Sequence, residues 1–234
     1  MNATNRMTTR TLATLLCLTA IAAGARDMRD FAQVGRFEQA NMELNMQRND
    51  GHRVVLMGNS ITEHWVEMRP DFFAQNRLIG RGISGQTSQE MLVRFRTDVL
   101  NLKPKVVVIC AGTNDIAENA GPYREDNTVG NIETMLIMAK QAKVKVVLAS
   151  VPPCDHYVWR PDVTNVPEKV ARLNSRLQAL AKRYKATWLD YFTPLVADDH
   201  RALNPAFGDD GVHPNDAGYA VMEQVLLPVI KKLR

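Results

Sequence analysis

The sequence predicts an α/β fold, a three-layer α/β/α sandwich built on five strands of a parallel sheet. Short apolar runs alternate along the chain with longer segments of helical periodicity, the pattern of repeated strand–helix units with right-handed crossovers. Two of the runs, residues 105–110 and 145–149, lack polar alternation, as expected of strands buried on both faces of a parallel sheet. No Pro/Gly/Ser linker, repeat or low-complexity tract interrupts the alternation, so residues 26–234 are expected to form a single domain.

The strands are expected at residues 53–57, 77–80, 105–110, 145–149 and 186–190. Thr87-Ser88-Gln89-Glu90 matches a capping box ahead of Met91, Leu92, Phe95 and Val99, which predicts a helix start. Ile132, Met135, Leu136 and Ala139 recur at helical spacing, as do Val166, Val170, Leu173, Leu177 and Leu180. The last helix carries Met222, Val225, Leu226, Val229, Ile230 and Leu233, and Pro228 is expected to kink it. Residues 26–49 are expected to be helical and to cap a sheet edge.

The first 25 residues differ from the rest. Arg6 and Arg10 precede an uncharged run from Thr11 to Ala23, and Ala23-Gly24-Ala25 offers a small-x-small cleavage pattern. This order predicts a cleavable export signal at 1–25, hence a periplasmic or extracellular protein. The run is too short and too rich in Thr and Ala to be a membrane anchor. Leu16 stands before Cys17, where a lipidated cysteine would follow a small residue. The whole chain has 29 Lys and Arg against 25 Asp and Glu; without Arg6 and Arg10, 27 basic groups face 25 acidic ones. So small an excess gives no reason to expect a nucleic-acid partner. Of the remaining cysteines, Cys110 lies in an apolar run and is expected as a buried small hydrophobe, while the redox state of Cys110 and Cys154 stays open.

In a sheet of this kind ligands bind beyond the carboxyl ends of the strands, where strand order reverses. The unusual residues fall in those loops. Gly58-Asn59-Ser60 follows the first strand, Gly82-Ile83-Ser84-Gly85-Gln86 the second and Gly112-Thr113-Asn114-Asp115 the third, while Asp210-Gly211-Val212-His213-Pro214 precedes the final helix. Each alone has a structural alternative: a tight turn, a helix cap, a solvated histidine, an Asx-turn. Together, all four on the loops expected to carry function, they make a pattern that accident would rarely produce. His52, His64, His156 and His200 form no zinc spacing with the scattered acids.

On these four blocks the chain resembles the SGNH hydrolases, also called GDSL esterases and lipases, over essentially all of residues 26–234. Gly58-Asn59-Ser60 matches the family's Gly-Asp-Ser with asparagine replacing aspartate; Gly85 matches the second block, Gly112-Thr113-Asn114-Asp115 the third, and Asp210 with His213 the fourth. The resemblance implies a flavodoxin-like parallel sheet of order 2-1-3-4-5. It also implies a Ser60 nucleophile, His213 as base and Asp210 rather than Asp209 as the orienting acid. The implied oxyanion hole comprises the N–H groups of Ser60 and Gly85 and the Asn114 amide. No step of that chemistry needs a metal or organic cofactor. The branch most resembled is acetylhydrolase-like, including platelet-activating-factor acetylhydrolase-type and carbohydrate-acetyl esterases, which implies a short acyl group such as acetyl on a glycan. Trp65 and Trp159 are candidates for stacking on a sugar, or alternatively pack their loops against the body. A long-chain lipase, lysophospholipase or thioesterase, and an inactive glycan-binding module on the same fold, are the competing readings; a nucleotide-binding flavodoxin-like protein is disfavoured because no phosphate-cradling loop follows strand 1.

Overall fold

Residues 30–234 are described by the computed structural model. The expected export signal and residues 26–29 lie outside them. The chain enters through a 3-10 turn at Val34–Phe37 and helix α1 (Glu38–Met46), then alternates strands and helices. The strands are β1 (Val54–Gly58), β2 (Leu78–Gly82), β3 (Val106–Ile109), β4 (Lys145–Ala149) and β5 (Thr187–Leu189). All pair in parallel in the order β2-β1-β3-β4-β5, as the sequence and its family resemblance lead one to expect.

The helices are α2 (Ser60–Met68), α3 (Pro70–Gln75), α4 (Ser88–Asp98), α5 (Thr113–Ile116), α6 (Glu125–Gln141), α7 (Val166–Tyr184), α8 (Phe192–Leu195) and α9 (Asp216–Leu233). Strand side chains alternate between the two faces of the sheet. Val55, Met57, Val107 and Ile109 join the core under α4, α6 and α7. Val54, Leu56, Val106 and Val108 join a second core with Ile61, Trp65, Phe72, Tyr219 and Leu226, under α2, α3 and α9. Because both faces are covered, β1 and β3 are buried throughout. The predicted stripes on α6 and α7 are all buried. The Thr87 capping box forms as read, and the Glu90 carboxylate accepts from the Thr87 N–H at 2.7 Å.

Boundaries shift where side chains cannot announce them. Arg77 adopts φ 52° and turns the chain into β2, so the strand starts one residue later than expected and continues through Arg81 and Gly82. Gly82 is its last residue, and only glycine fits there: a Cβ would lie 2.3 Å from the Glu63 nitrogen and 2.6 Å from the Asn59 carbonyl oxygen. That absence of a side chain lets β2 approach the first turn of α2. Helix α9 runs through Pro228 to Leu233. Cys110 and Cys154 are free thiols, both buried, and burial pushes each up to about 12. None of the helices among the described residues is long and apolar enough to cross a membrane.

Candidate active site

Strand order 2-1-3 places the ends of β1, β2 and β3 side by side, with Met57 in register with both Arg81 and Ile109. The loops that follow deliver Ser60, Gly85 and Asn114 to one rim. Ser60 is the first residue of α2, and Asn59 is its N-cap. The Asn59 side-chain oxygen accepts from the Ile61 N–H at 3.0 Å. Asn59 is buried, so its neutral amide caps α2 without placing a carboxylate in the interior.

Ser60 Oγ lies 2.8 Å from His213 Nε2. On the other side of the ring, His213 Nδ1 lies 2.6 Å from Asp210 Oδ2. The second carboxylate oxygen of Asp210 accepts from the backbone N–H groups of His213 and Val212 at 2.7 and 2.9 Å. Partial burial opposes ionisation of this carboxyl. The hydrogen bonds from the His213 ring and from the two N–H groups outweigh burial and hold its pKa below the usual aspartate value. Asp210, not Asp209, is therefore the histidine's partner. An ionised acceptor at Nδ1 fixes that proton there and leaves Nε2 free to accept from the serine hydroxyl.

The glycine block supplies donors. Gly85 has φ 77°, a conformation that suits glycine. Neither the Ser60 nor the Gly85 N–H donates to another group among the described residues. Asn114 Nδ2 donates one hydrogen to the Gln86 carbonyl at 3.0 Å, which orients the amide and leaves its second hydrogen available. The loop is held from below by Arg94, fully buried, whose guanidinium donates to Gln86 Oε1 at 2.5 Å, to the Gly58 carbonyl at 2.9 Å and to Asp98 at 3.0 Å. Asp115 accepts from the Ser88 N–H at 2.9 Å and from the Thr128 hydroxyl at 3.0 Å, pinning the third block to α4 and α6.

The two tryptophans part company. Trp159, 39% exposed, stands at the rim with its ring centroid 6.2 Å from that of His213. Its neighbour Val158 is also exposed. Trp65 is 1% exposed and cannot meet a substrate. It stacks on Phe72 and Tyr219, meets Phe73 and Tyr191 edge-on, and donates its indole N–H to Glu223 at 3.3 Å. The expectation of a sugar-stacking role for Trp65 is thus corrected: it is a core residue. Ile61 and Trp65, four apart on α2, form an apolar stripe that carries this signal in the sequence.

Two neighbours of the site were not singled out by the sequence. His64, one turn beyond Ser60 on the same face of α2, puts its ring 5.0 Å from that of His213 on centroids, so both His64 and Trp159 neighbour the His213 ring. Asn119, after α5, reaches both Gly85 and Trp159. Its signal is absent from the sequence because both partners are remote along the chain. Among the described residues no three His, Cys, Asp or Glu side chains gather into a group able to hold a metal ion.

A profile of the GDSL-like Lipase/Acylhydrolase family matches residues 56–221, from β1 into α9. The chain belongs to this family. A solved GDSL-like lipase from Bacteroides thetaiotaomicron VPI-5482 is 48% identical with a TM-score of 0.84, covering 86% of this chain and 98% of its own. An N-acylneuraminate cytidylyltransferase of Escherichia coli is 24% identical over 216 residues, 90% of this acylhydrolase-family chain and 49% of the relative. An acetylxylan esterase of Xylanibacter ruminicola is 25% identical over 224 residues, 79% of this chain and 44% of the relative. The chain thus spans about half the length of these two curated relatives.

Proposed function

We propose that this GDSL-family protein is an exported serine esterase that hydrolyses short acyl esters, with acetyl groups on carbohydrate as the preferred substrate class. The observation that carries the reading is the unbroken relay from Asp210 through His213 to Ser60, with contacts of 2.6 and 2.8 Å. Ser60 Oγ attacks the ester carbonyl while His213 Nε2 takes its proton and returns it to the departing alcohol. Asp210 keeps the imidazole in the productive tautomer and stabilises the imidazolium. The tetrahedral oxyanion is received by the N–H groups of Ser60 and Gly85 and the free amide hydrogen of Asn114; one such donor is typically worth about 10²–10³ in kcat. Water then attacks the acyl-enzyme with His213 again as base.

The carbohydrate preference is supported by the exposed Trp159 face beside His213, by the acetylxylan esterase among the relatives, and by the general habit of aromatic rims to stack on sugar rings. Export is supported by the charge and apolar pattern of residues 1–25.

The test is a chain-length series of p-nitrophenyl acetate, octanoate and palmitate, followed by release of acetate from acetylated xylo-oligosaccharides. The acetate ester is expected to give the highest kcat/KM, and the oligosaccharides to release acetate. A preference for palmitate would replace the proposal with a long-chain lipase.

A further inference from the structure

Asn119 occupies a position that the proposed reaction makes consequential. Its backbone N–H donates to the Asn114 carbonyl at 3.1 Å. Its side-chain Nδ2 donates to the Gly85 carbonyl at 3.2 Å, and its Oδ1 accepts from Trp159 Nε1 at 3.0 Å. The amide orientation is fixed by chemistry: a carbonyl can only accept and an indole N–H can only donate. One half-buried side chain therefore joins the glycine of the oxyanion loop to the aromatic rim, while its own main chain is tied to the oxyanion asparagine.

The surroundings keep that link in place. Arg160, next to Trp159, donates to the carbonyls of Ala117 and Glu118 at 3.0 and 2.9 Å and pairs with the Glu118 carboxylate at 3.2 Å. On the far side of Gly85, the Glu63 carboxylate accepts from the Ser84 N–H at 2.7 Å and the Ser84 hydroxyl at 2.5 Å. The Ser84–Gly85 peptide, whose N–H is the proposed oxyanion donor, is thus bracketed by Glu63 before it and Asn119 after it. A glycine at φ 77° has no side chain to limit its rotation. A donor to the oxyanion is effective only if it is already aimed when charge develops.

We propose that Asn119 is a positioning residue that fixes the Gly85 peptide and the Trp159 ring relative to one another, so that oxyanion stabilisation and the aromatic binding wall depend on a single side chain. The inference rests on the serine-esterase reading above and adds to it a residue outside the four family blocks.

The experiment compares kcat, KM and Tm for Asn119→Ala, Trp159→Phe and the double variant on p-nitrophenyl acetate, whose aromatic leaving group reports on the Trp159 face. Asn119→Ala is expected to lower kcat about tenfold, less than outright loss of an oxyanion donor, and to raise KM, with Tm within a few degrees of the parent. Trp159→Phe keeps a ring but loses the indole N–H; it is expected to raise KM while kcat stays within about twofold, the mark of lost binding alone. The double variant is expected to match Asn119→Ala, because the bond between the two is broken once. Should Asn119→Ala not fold, Asn119→Ser, too short to reach either partner, carries the same expectations. A kcat for Asn119→Ala within about twofold of the parent, or KM effects that multiply in the double variant, would overturn the proposal. Full activity in Ser60→Ala would instead remove the esterase reading; an inactive Ser60→Ala beside a fully active Asn119→Ala overturns only the role of Asn119.

Discussion

Ser60→Ala is expected to lower kcat/KM for p-nitrophenyl acetate by about 10⁴-fold or more, since in the proposed mechanism loss of the nucleophile removes the acyl-enzyme route altogether. The fold should be indifferent to the change. Ser60 contributes one side-chain hydrogen bond, to His213 at 2.8 Å, and alanine is the best helix former at the start of α2. Its backbone N–H remains, so part of the oxyanion site survives and a small residual rate is expected. Activity within tenfold of the parent, with Tm preserved, would rule out Ser60 as the nucleophile.

Asp210→Asn asks a sharper question of the same machinery. The asparagine oxygen can still accept from the His213 and Val212 N–H groups, so the turn should persist. Its NH₂ cannot accept from His213 Nδ1–H, and the imidazole is driven to the tautomer protonated at Nε2. That nitrogen then cannot take the Ser60 proton. A loss on the order of 10³–10⁴ in kcat is expected without loss of stability. Substitution at Asp209 should leave the rate nearly unchanged, and an equal effect at the two positions would contradict the assignment.

The largest expected effect on stability lies beneath the site. Arg94→Met should cost about 3–5 kcal/mol, the usual penalty for breaking a buried ion pair from one side. Asp98, fully buried, would keep only the Asn41 amide at 2.9 Å, and the Gly58 carbonyl and Gln86 Oε1 would each lose a donor. Burial lowers the Arg94 pKa, and the hydrogen bond and charge of Asp98 oppose that shift, so the cation depends on its partner. Arg81 shares the same interior, its pKa lowered to about 10 chiefly by burial. Its guanidinium donates to Asn41 at 2.8 and 3.1 Å and lies 4.7 Å over the Phe37 ring. A domain of this size loses roughly 2–4 °C of Tm per kcal/mol, so a fall of about 10 °C is expected in a thermal melt. A shift under about 2 °C would mean that the network is not holding the loop. Because Arg94 touches Gly58 and Gln86, kcat should fall as well.

Much of this was legible in the chain itself. The apolar runs located all five strands to within a few residues, since a strand buried on both faces must be apolar at every position. Period-3.6 stripes located α4, α6, α7 and α9 for the corresponding reason. Short elements escaped: α5 and α8 have four residues each, too few for a period to show. Helix α3 is signalled only by Pro70 at its first position. For Trp65 the sequence leaves stacking and packing both open, because an aromatic residue near Ser60 has the same letter whether its ring faces solvent or core. Helix phase decides, and on α2 it turns Trp65 inward and His64 toward His213.

By itself the sequence determined the architecture, the family and the four blocks that carry Ser60, Gly85, Asn114, Asp210 and His213. These are local or periodic properties: hydrophobic pattern, glycine at a turn, spacing of acid and histidine. What only the tertiary structure decided is how remote groups meet. It separated Trp65 in the core from Trp159 at the rim, brought Ser60 to His213, and drew Asn119 and Arg94 into contact with the loop of Gly85 and Gln86. Most of these contacts join residues more than thirty positions apart, and their geometry follows from strand order and helix phase, which no short window of sequence contains.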